Sequence, residues 1–512
     1  MHPDTRERSP LTQQVSVLLF ARMSSMVLRF FLPIVLVRVF AKSDYGLYRQ
    51  LVLMEGFAVV LATGLESSFF YFIPRHPERR LQLVLQTMLV NGAVGLIFLF
   101  VVTVWREPIA VSMNNPALAP YLPLSGLLVL LALSSEFVSD LMIAEGKAKL
   151  AALLAGGLES LRVLSVTGAA LLTRNIMVMM VCWVAVTAIR PVVLLAYVGL
   201  NPRPGERRFS WSYLWEQVQY GVPLGLSSTT TRIRGQVAGF IVSNLFTPAQ
   251  FAAYSIGQSR IPFASNIFTT FSDVIAPRMS EYHAQGNVGA MIDLWHKAVS
   301  KLALVVFPMI TVSFFLAESI IVVLYTAEYR DSIPVFVVFN LNLLVGMLPY
   351  GSIMKAFGET RFIFTSNLLA TALLVLLGYP VIRALGPAGA AALAVGAVYL
   401  NMGQQALRIR RLLGVTWRDY FPWACLGKTV LAAVIPGLAT YAIQTRLPEN
   451  LAVLVGLLSL YAVLYLLLLH VSGLLTLNRE SLSNGIRKVL GRRRRGSRKG
   501  QAVAAGRPVE ER

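Results

Sequence analysis

Residues 20–48 read FARMSSMVLRFFLPIVLVRVFAKSDYGLY. As far as Phe40 the run is long enough to cross a bilayer as a helix, since about 20 predominantly apolar residues span ~30 Å of hydrocarbon. It nevertheless carries Arg22, Arg29 and Arg38 and no acid. The turn that follows, FAKSDYGLY at Phe40 to Tyr48, returns without a gap as FTPAQFAAY at Phe246 to Tyr254, 206 residues further on. Phe, an aromatic residue, a small residue and Tyr stand in register. A span rich in arginine, followed by a turn that repeats, sets the terms for reading the chain.

Of the 512 residues 56% are hydrophobic and 14% charged, far from the roughly 25% charged of soluble domains. The chain reads as a polytopic membrane protein. Apolar runs recur at 13–39, 47–73, 81–104, 117–143, 150–172, 176–198, 213–245, 249–276, 297–325, 333–355, 362–384, 387–407, 420–443 and 451–476, fourteen expected spans. The first exceeds the 7–15 apolar residues usual in a signal peptide and no small-x-small site follows it, so it is expected to be retained. Cys182 and Cys425 fall inside spans and suggest neither a disulfide framework nor a zinc site.

Short cytoplasmic loops carry the excess of Lys and Arg. With the N-terminus inside, the inward loops hold seventeen such residues and the outward loops six. The expectation is a multi-pass membrane protein with both termini cytoplasmic. From Asn478 onward eleven cations face three acids. No aromatic residues interleave them, so this tail is expected to lie on anionic headgroups and not on nucleic acid.

Two further anchors extend the repeat. IPRH at Ile73 to His76 answers APRM at Ala276 to Met279, and AEGKAKL at Ala144 to Leu150 answers AFGETRF at Ala356 to Phe362. Each copy would hold six spans, an even number, which leaves both copies in the same orientation and relates them by an axis along the membrane normal. The expected fold is thus all-α: an N-lobe at 1–200, a Pro-rich cytoplasmic linker at 201–212, a C-lobe at 213–411, two additional spans at 412–477 and a basic tail at 478–512.

The stretch LVRVFAKSDYGLYRQLVLMEGFAVVLATGLESSFFYFIPR, with Tyr45, Gly46 and Tyr48 in its turn and Ile73 to Arg75 at its end, resembles the oligosaccharide or polysaccharide flippases. Their superfamily also contains the multidrug and toxin extruders and the lipid II flippases. The similarity covers residues 11 to 476. It implies a Wzx-type protein that moves undecaprenyl-pyrophosphate-linked glycan units across the bacterial inner membrane by alternating access. Lipid-linked oligosaccharide and membrane lipids are the partners so implied, with a polysaccharide polymerase and export machinery as candidates; no cofactor is implied.

Arg22 and Arg29 are seven residues apart, about 700° of helix, and so project from nearly the same face. Arg38, near the outer end, is expected to snorkel to headgroups. Arg29 has no such exit, and an arginine near mid-membrane needs a wet cavity or a partner. It either lines a cleft or pairs with an acid such as Glu66 or Glu136. In the equivalent span of the second copy, GLSSTTTRIRGQ at Gly225 to Gln236 sets Arg232 and Arg234 among hydroxyls and glycines, where Pro223, Gly225 and Gly235 suggest a kinked or unwound helix. Arg49 and Arg260 add one cation from each second span. The six, Arg22, Arg29, Arg49, Arg232, Arg234 and Arg260, are the candidate substrate-binding cations, because guanidinium in a low dielectric binds phosphate in bidentate fashion. Arg29 and Arg232 are expected to face each other across the lobe interface.

Glu136 and Asp140, at i and i+4, are ion-coupling candidates for a proton or sodium ion; pairing with Arg162 or Arg190 is the alternative. Glu159 and Arg162 read as a local pair. The histidines lack metal-ligand spacing, so no metal site is expected, and GKT at Gly427 to Thr429 lacks the earlier Gly of a phosphate loop. The chain is therefore expected not to be an enzyme. A drug or small-molecule exporter, a lipid II flippase and a membrane enzyme on polyprenyl phosphate remain the competing readings.

Overall fold

The computed structural model describes residues 11–61, 64–202, 209–259, 261 and 264–474; at residues 11–24, 57–59, 223–228 and 231 only the backbone is considered. Among the described residues every regular element is a helix. Nine segments among them are long and apolar enough to cross a membrane, and one, Thr360–Leu413, is two helices merged across a kink at Gly386. The expected first, second, seventh and eighth spans are helical too but lie outside those nine. They are the four that carry the candidate cations.

The first half runs α1 (Leu11–Val39), α2 (Lys42–Leu61), α3 (Phe69–Arg75), α4 (Arg80–Val104), α5 (Arg106–Ser112), α6 (Leu122–Leu133), α7 (Val138–Ala144), α8 (Ala148–Thr173) and α9 (Ile176–Gly199). Helix α1 packs on α8, α8 on α9, and α6 on both α4 and α9. The second half runs α10 (Trp211–Leu245), α11 (Pro248–Gly257), α12 (Ala264–Ala284), α13 (Val288–Phe315), α14 (Ala317–Tyr325), α15 (Ile333–Asn340), α16 (Asn342–Gly346), α17 (Tyr350–Ala356) and α18 (Thr360–Leu413). After α19 (Trp417–Tyr420), helices α20 (Trp423–Gln444) and α21 (Leu451–Val471) pack on each other, with α20 against α13. Helix α10 joins the halves, packing on α18 in its own and on α2 in the other.

The repeat read from the sequence has a structural counterpart at its anchors. Helix α2 begins two residues after Phe40, and α11 two residues after Phe246. The latter start is fixed by Pro248 at the first helical position and a capping box between Thr247 and Gln250, which satisfies two otherwise orphaned backbone donors. At the third anchor Gly146 (φ 77°) and Gly358 (φ 71°) both adopt the left-handed conformation that ends a helix at least steric cost. The following amides close the same motif, Lys147 N on Met142 O at 2.8 Å and Glu359 N on Met354 O at 2.9 Å.

Helix breaks also recur in matching spans. The second span parts between α2 and α3 and the eighth between α11 and α12, while the fourth parts between α6 and α7 and the tenth at Leu341 and again before Tyr350. Polar side chains take up carbonyls at these breaks: Ser135 Oγ donates to Leu131 O (2.6 Å), Asn340 Nδ2 to Phe336 O (2.8 Å), Tyr399 OH to Leu341 O (2.8 Å) and Ser255 Oγ to Ala252 O (2.8 Å). Non-helical backbone at membrane depth is tolerated where such donors or a cavity are at hand. The seventh span is not unwound: α10 is assigned as one helix from Trp211 to Leu245 across Pro223, Gly225 and Gly235. The linker's residues 203–208 and the basic tail lie outside the described residues.

Candidate functional site

One cavity of about 410 Å³ lies where the halves meet. The first half contributes Pro33 from α1 and Tyr45 and Arg49 from α2; the second contributes Arg234 from α10, Gln258 and Ser259 beyond α11, and Asn342 from α16. Among the described residues its lining includes two guanidinium groups, one from each half, and no carboxylate. Tyr45 and Arg49, at i and i+4, share a face of α2. Arg49 Nε is buried with no hydrogen-bond partner.

A ladder of amides orients Arg234. Its Nη1 donates to Asn367 Oδ1 at 3.1 Å, Asn401 Nδ2 donates to the same oxygen at 3.1 Å, and Gln405 Nε2 donates to Asn401 Oδ1 at 3.2 Å. The three amides sit on the two limbs of α18 and carry no charge, so they position the guanidinium without neutralising it. They escaped the sequence reading, although Asn401 and Gln405 at i and i+4 in an apolar run were a visible signal.

Arg232 follows a different course. Residues two apart on a helix point about 200° apart, so Arg232 enters a separate cavity of about 200 Å³ against Glu66 of the first half and Asn91, Glu136 and Asp140 of α4, α6–α7 and the turn between them. Arg190 Nη1 lies 4.0 Å from Glu136 Oε1. Thus the two ion-coupling candidates do share a cavity, and Arg190 is the nearby cation anticipated for one of them.

Arg29 and Arg232 do not meet as expected. Arg29 Nε donates to Glu159 Oε1 at 2.6 Å, because α1 packs along α8 and delivers Arg29 to an acid 130 positions away, not to Glu66 or Glu136. Glu159 also holds Arg162, with Nη2 at 2.6 Å and Nε at 3.1 Å, so the expected local pair is half of a triad. The Arg162 guanidinium lies 5.0 Å from the Trp183 ring centroid. The Arg29 side chain is 62% exposed. The side chain of Arg22 and the whole of Arg260 lie outside the described residues.

Contacts between the halves bridge the Lys42 end of the cavity lined by Arg49 and Arg234. Arg38 donates to Leu324 O at 2.5 Å and Val323 O at 2.7 Å, capping the last turn of α14 instead of snorkelling, a favourable place for a cation. Lys42 Nζ reaches both carboxylate oxygens of Asp331 at 2.8 Å and Glu328 O at 2.7 Å. Gln50 Nε2 donates to Ser243 Oγ at 3.0 Å. A Cβ at Gly46 would stand 1.9 Å from Pro248 O, so the two anchor helices touch backbone to backbone. Arg38→Ala combined with Lys42→Ala removes contacts worth together about 1–2 kcal/mol, and should raise labelling of a buried Ser243→Cys by an impermeant maleimide about tenfold. Unchanged labelling would show that these contacts do not hold the end shut.

The fold is that of a multi-pass membrane protein, all-helical among the described residues, with a cavity between its two halves. The family model for the polysaccharide biosynthesis protein matches residues 35–334, and the chain belongs to that family. Among solved structures it is similar to the lipid II flippase MurJ in an inward closed conformation, with 13% identity over 88% of this chain and 97% of that one and a TM-score of 0.66. A multidrug resistance MATE family transporter of the MOP superfamily is similar in its inward-facing conformation (14% identity, 78% and 99% covered, TM-score 0.59), and another MATE structure in its outward-facing one (12%, 80% and 98%, 0.51). At these identities the likeness is one of fold. No curated protein matches the chain.

Proposed function

We propose that this chain is a flippase that carries undecaprenyl-pyrophosphate-linked oligosaccharide across the inner membrane by alternating access, for surface polysaccharide biosynthesis. The observation that carries the reading is the cavity lined by Arg49 and Arg234, one from each half, without a carboxylate among the described residues. Guanidinium presents a planar fork to phosphate oxygens, and cations supplied by both lobes let a bound pyrophosphate influence how the lobes approach. Arg22, Arg29, Arg232 and Arg260 are proposed as further cations along the substrate's path. A cation exporter would instead require an acid in this lining. The family's own name favours a saccharide lipid over lipid II, whose pyrophosphate the same cavity could also hold.

In this reading residues 1–200 and 213–411 are the moving lobes, 201–212 links them on the cytoplasmic side, and 412–477 is an addition. Both termini are cytoplasmic, with the 478–512 tail on the anionic leaflet. A polymerase and export machinery would take the product. Reporter fusions at Asn114 and Arg207 should report opposite sides of the membrane; the same side for both would overturn this topology.

Coupling is assigned to the cavity of Glu66, Glu136 and Asp140, whose carboxylates can take a proton or sodium ion beside Arg232 and Arg190. Glu136→Gln and Asp140→Asn should each lower flipping and flatten its dependence on pH or sodium. Variants that keep the parent rate and profile would remove these acids from the coupling path. The direct test of function is depletion of the protein, which should accumulate lipid-linked oligosaccharide in the cytoplasmic leaflet.

A further inference from the structure

The cationic cavity continues beyond Asn342. A second cavity of about 280 Å³ shares Ser259, Phe339, Asn342 and Val398 with it and is lined further by Phe268 and Asn340. No charged residue lines this second space among the described residues. The Phe268 ring lies against Gly346, where a Cβ would stand 2.3 Å from the ring, so glycine is what lets the ring lie back and keeps the space open.

Two polar atoms around the junction lack partners. Arg49 Nε, a donor, and Asn342 Oδ1, an acceptor, are both buried without a hydrogen bond. Leaving a buried polar atom without a partner is costly, and one retained at a cavity is accounted for if a ligand supplies its partner. The donor calls for an anionic oxygen. The acceptor, on the side of the second cavity, calls for a hydroxyl or an amide N–H. A ligand with a phosphate beside an uncharged, hydroxyl-bearing ring meets both demands, and its apolar face suits Phe268 and Phe339.

We propose that the second cavity is a subsite for the first sugar of the carried lipid, that Asn342 reads a donor on that sugar, and that the sugar is uncharged. This rests on the flippase reading above. The reading assigns a pyrophosphate to Arg49 and Arg234; the subsite adds what lies next to it.

The test measures binding to the purified full chain in nanodiscs with three probes: undecaprenyl pyrophosphate, its glucosyl derivative and its glucuronosyl derivative. The glucosyl lipid should bind about tenfold tighter than the bare pyrophosphate, the effect of one satisfied buried acceptor, and the glucuronosyl lipid should gain nothing. Asn342→Ala, and separately Gly346→Ala, which drives Phe268 into the space, should collapse the ratio of glucosyl to bare affinity to near unity. Should Asn342→Ala be lost from the membrane, Gly346→Ala and the parent's own sugar series decide the matter. Equal binding of glucosyl and bare lipids by the parent, equal binding of glucosyl and glucuronosyl lipids, or a ratio undisturbed in both variants would overturn the subsite. If bare undecaprenyl pyrophosphate does not bind at all, the reading of the cationic cavity fails instead, and the subsite with it.

Discussion

Flipping of undecaprenyl-pyrophosphate-linked oligosaccharide in reconstituted vesicles should fall about ten- to a hundredfold in Arg49→Ala and in Arg234→Ala, since each removes a charge-assisted hydrogen-bond partner worth roughly 1.5–3 kcal/mol. Among the described residues neither guanidinium is balanced by an acid in the cavity lining, so truncation strands no carboxylate there and the variants should remain abundant. Lysine should restore only part of the rate at either position, because an ammonium lacks the planar fork. Asn367→Ala should act more mildly. It leaves the Arg234 charge in place and removes the acceptor that aims it. Abundant variants that flip at the parent rate would reject the site.

Glu159→Ala should behave in the opposite way, lowering the amount of protein in the membrane before any transport defect can be read. This carboxylate holds Arg29 through one oxygen and Arg162 through both, and only 10% of its side chain is exposed. Removing it strands the half-buried Arg162, and breaking a buried pair in this way costs about 3–5 kcal/mol. Arg29→Ala should be far better tolerated. That side chain is mostly exposed, and its loss leaves Glu159 paired with Arg162. Membrane abundance of the two variants, measured by immunoblot, checks the contrast. Equal abundance would mean that leaving Arg162 without Glu159 carries no cost to folding.

These two predictions separate what the sequence made legible from what it did not. The repeat could be read because its anchors depend on local chemistry: Pro248 starts a helix and Gly146 and Gly358 end one wherever they stand. The arginines of the apolar runs could be read as needing partners because hydrocarbon offers none. The local pair of Glu159 and Arg162 could be read too, but the distant partners of Arg29 and Arg38 could not. Arg29 meets Glu159 only because α1 packs along α8, and Arg38 caps α14 only because the halves close at that end; both contacts depend on tertiary packing between residues more than a hundred positions apart. The spacing of Arg232 and Arg234 already required that they diverge, and helical geometry alone argued against treating them as one site. Which of them would join Arg49 depended on how α10 is turned between the halves. Asn367, Asn401 and Gln405 were missed for a different reason. Attention to charge overlooked neutral amides whose role is to aim a charged group.

Affinity of the purified protein in nanodiscs for undecaprenyl pyrophosphate, compared with undecaprenol, tests the central claim most directly, because the two lipids differ only in the group assigned to Arg49 and Arg234. The pyrophosphate should bind at least about tenfold tighter, and the Arg49→Ala, Arg234→Ala double variant should lose that preference; equal affinity for the two lipids, or a preference that survives the double substitution, would contradict it.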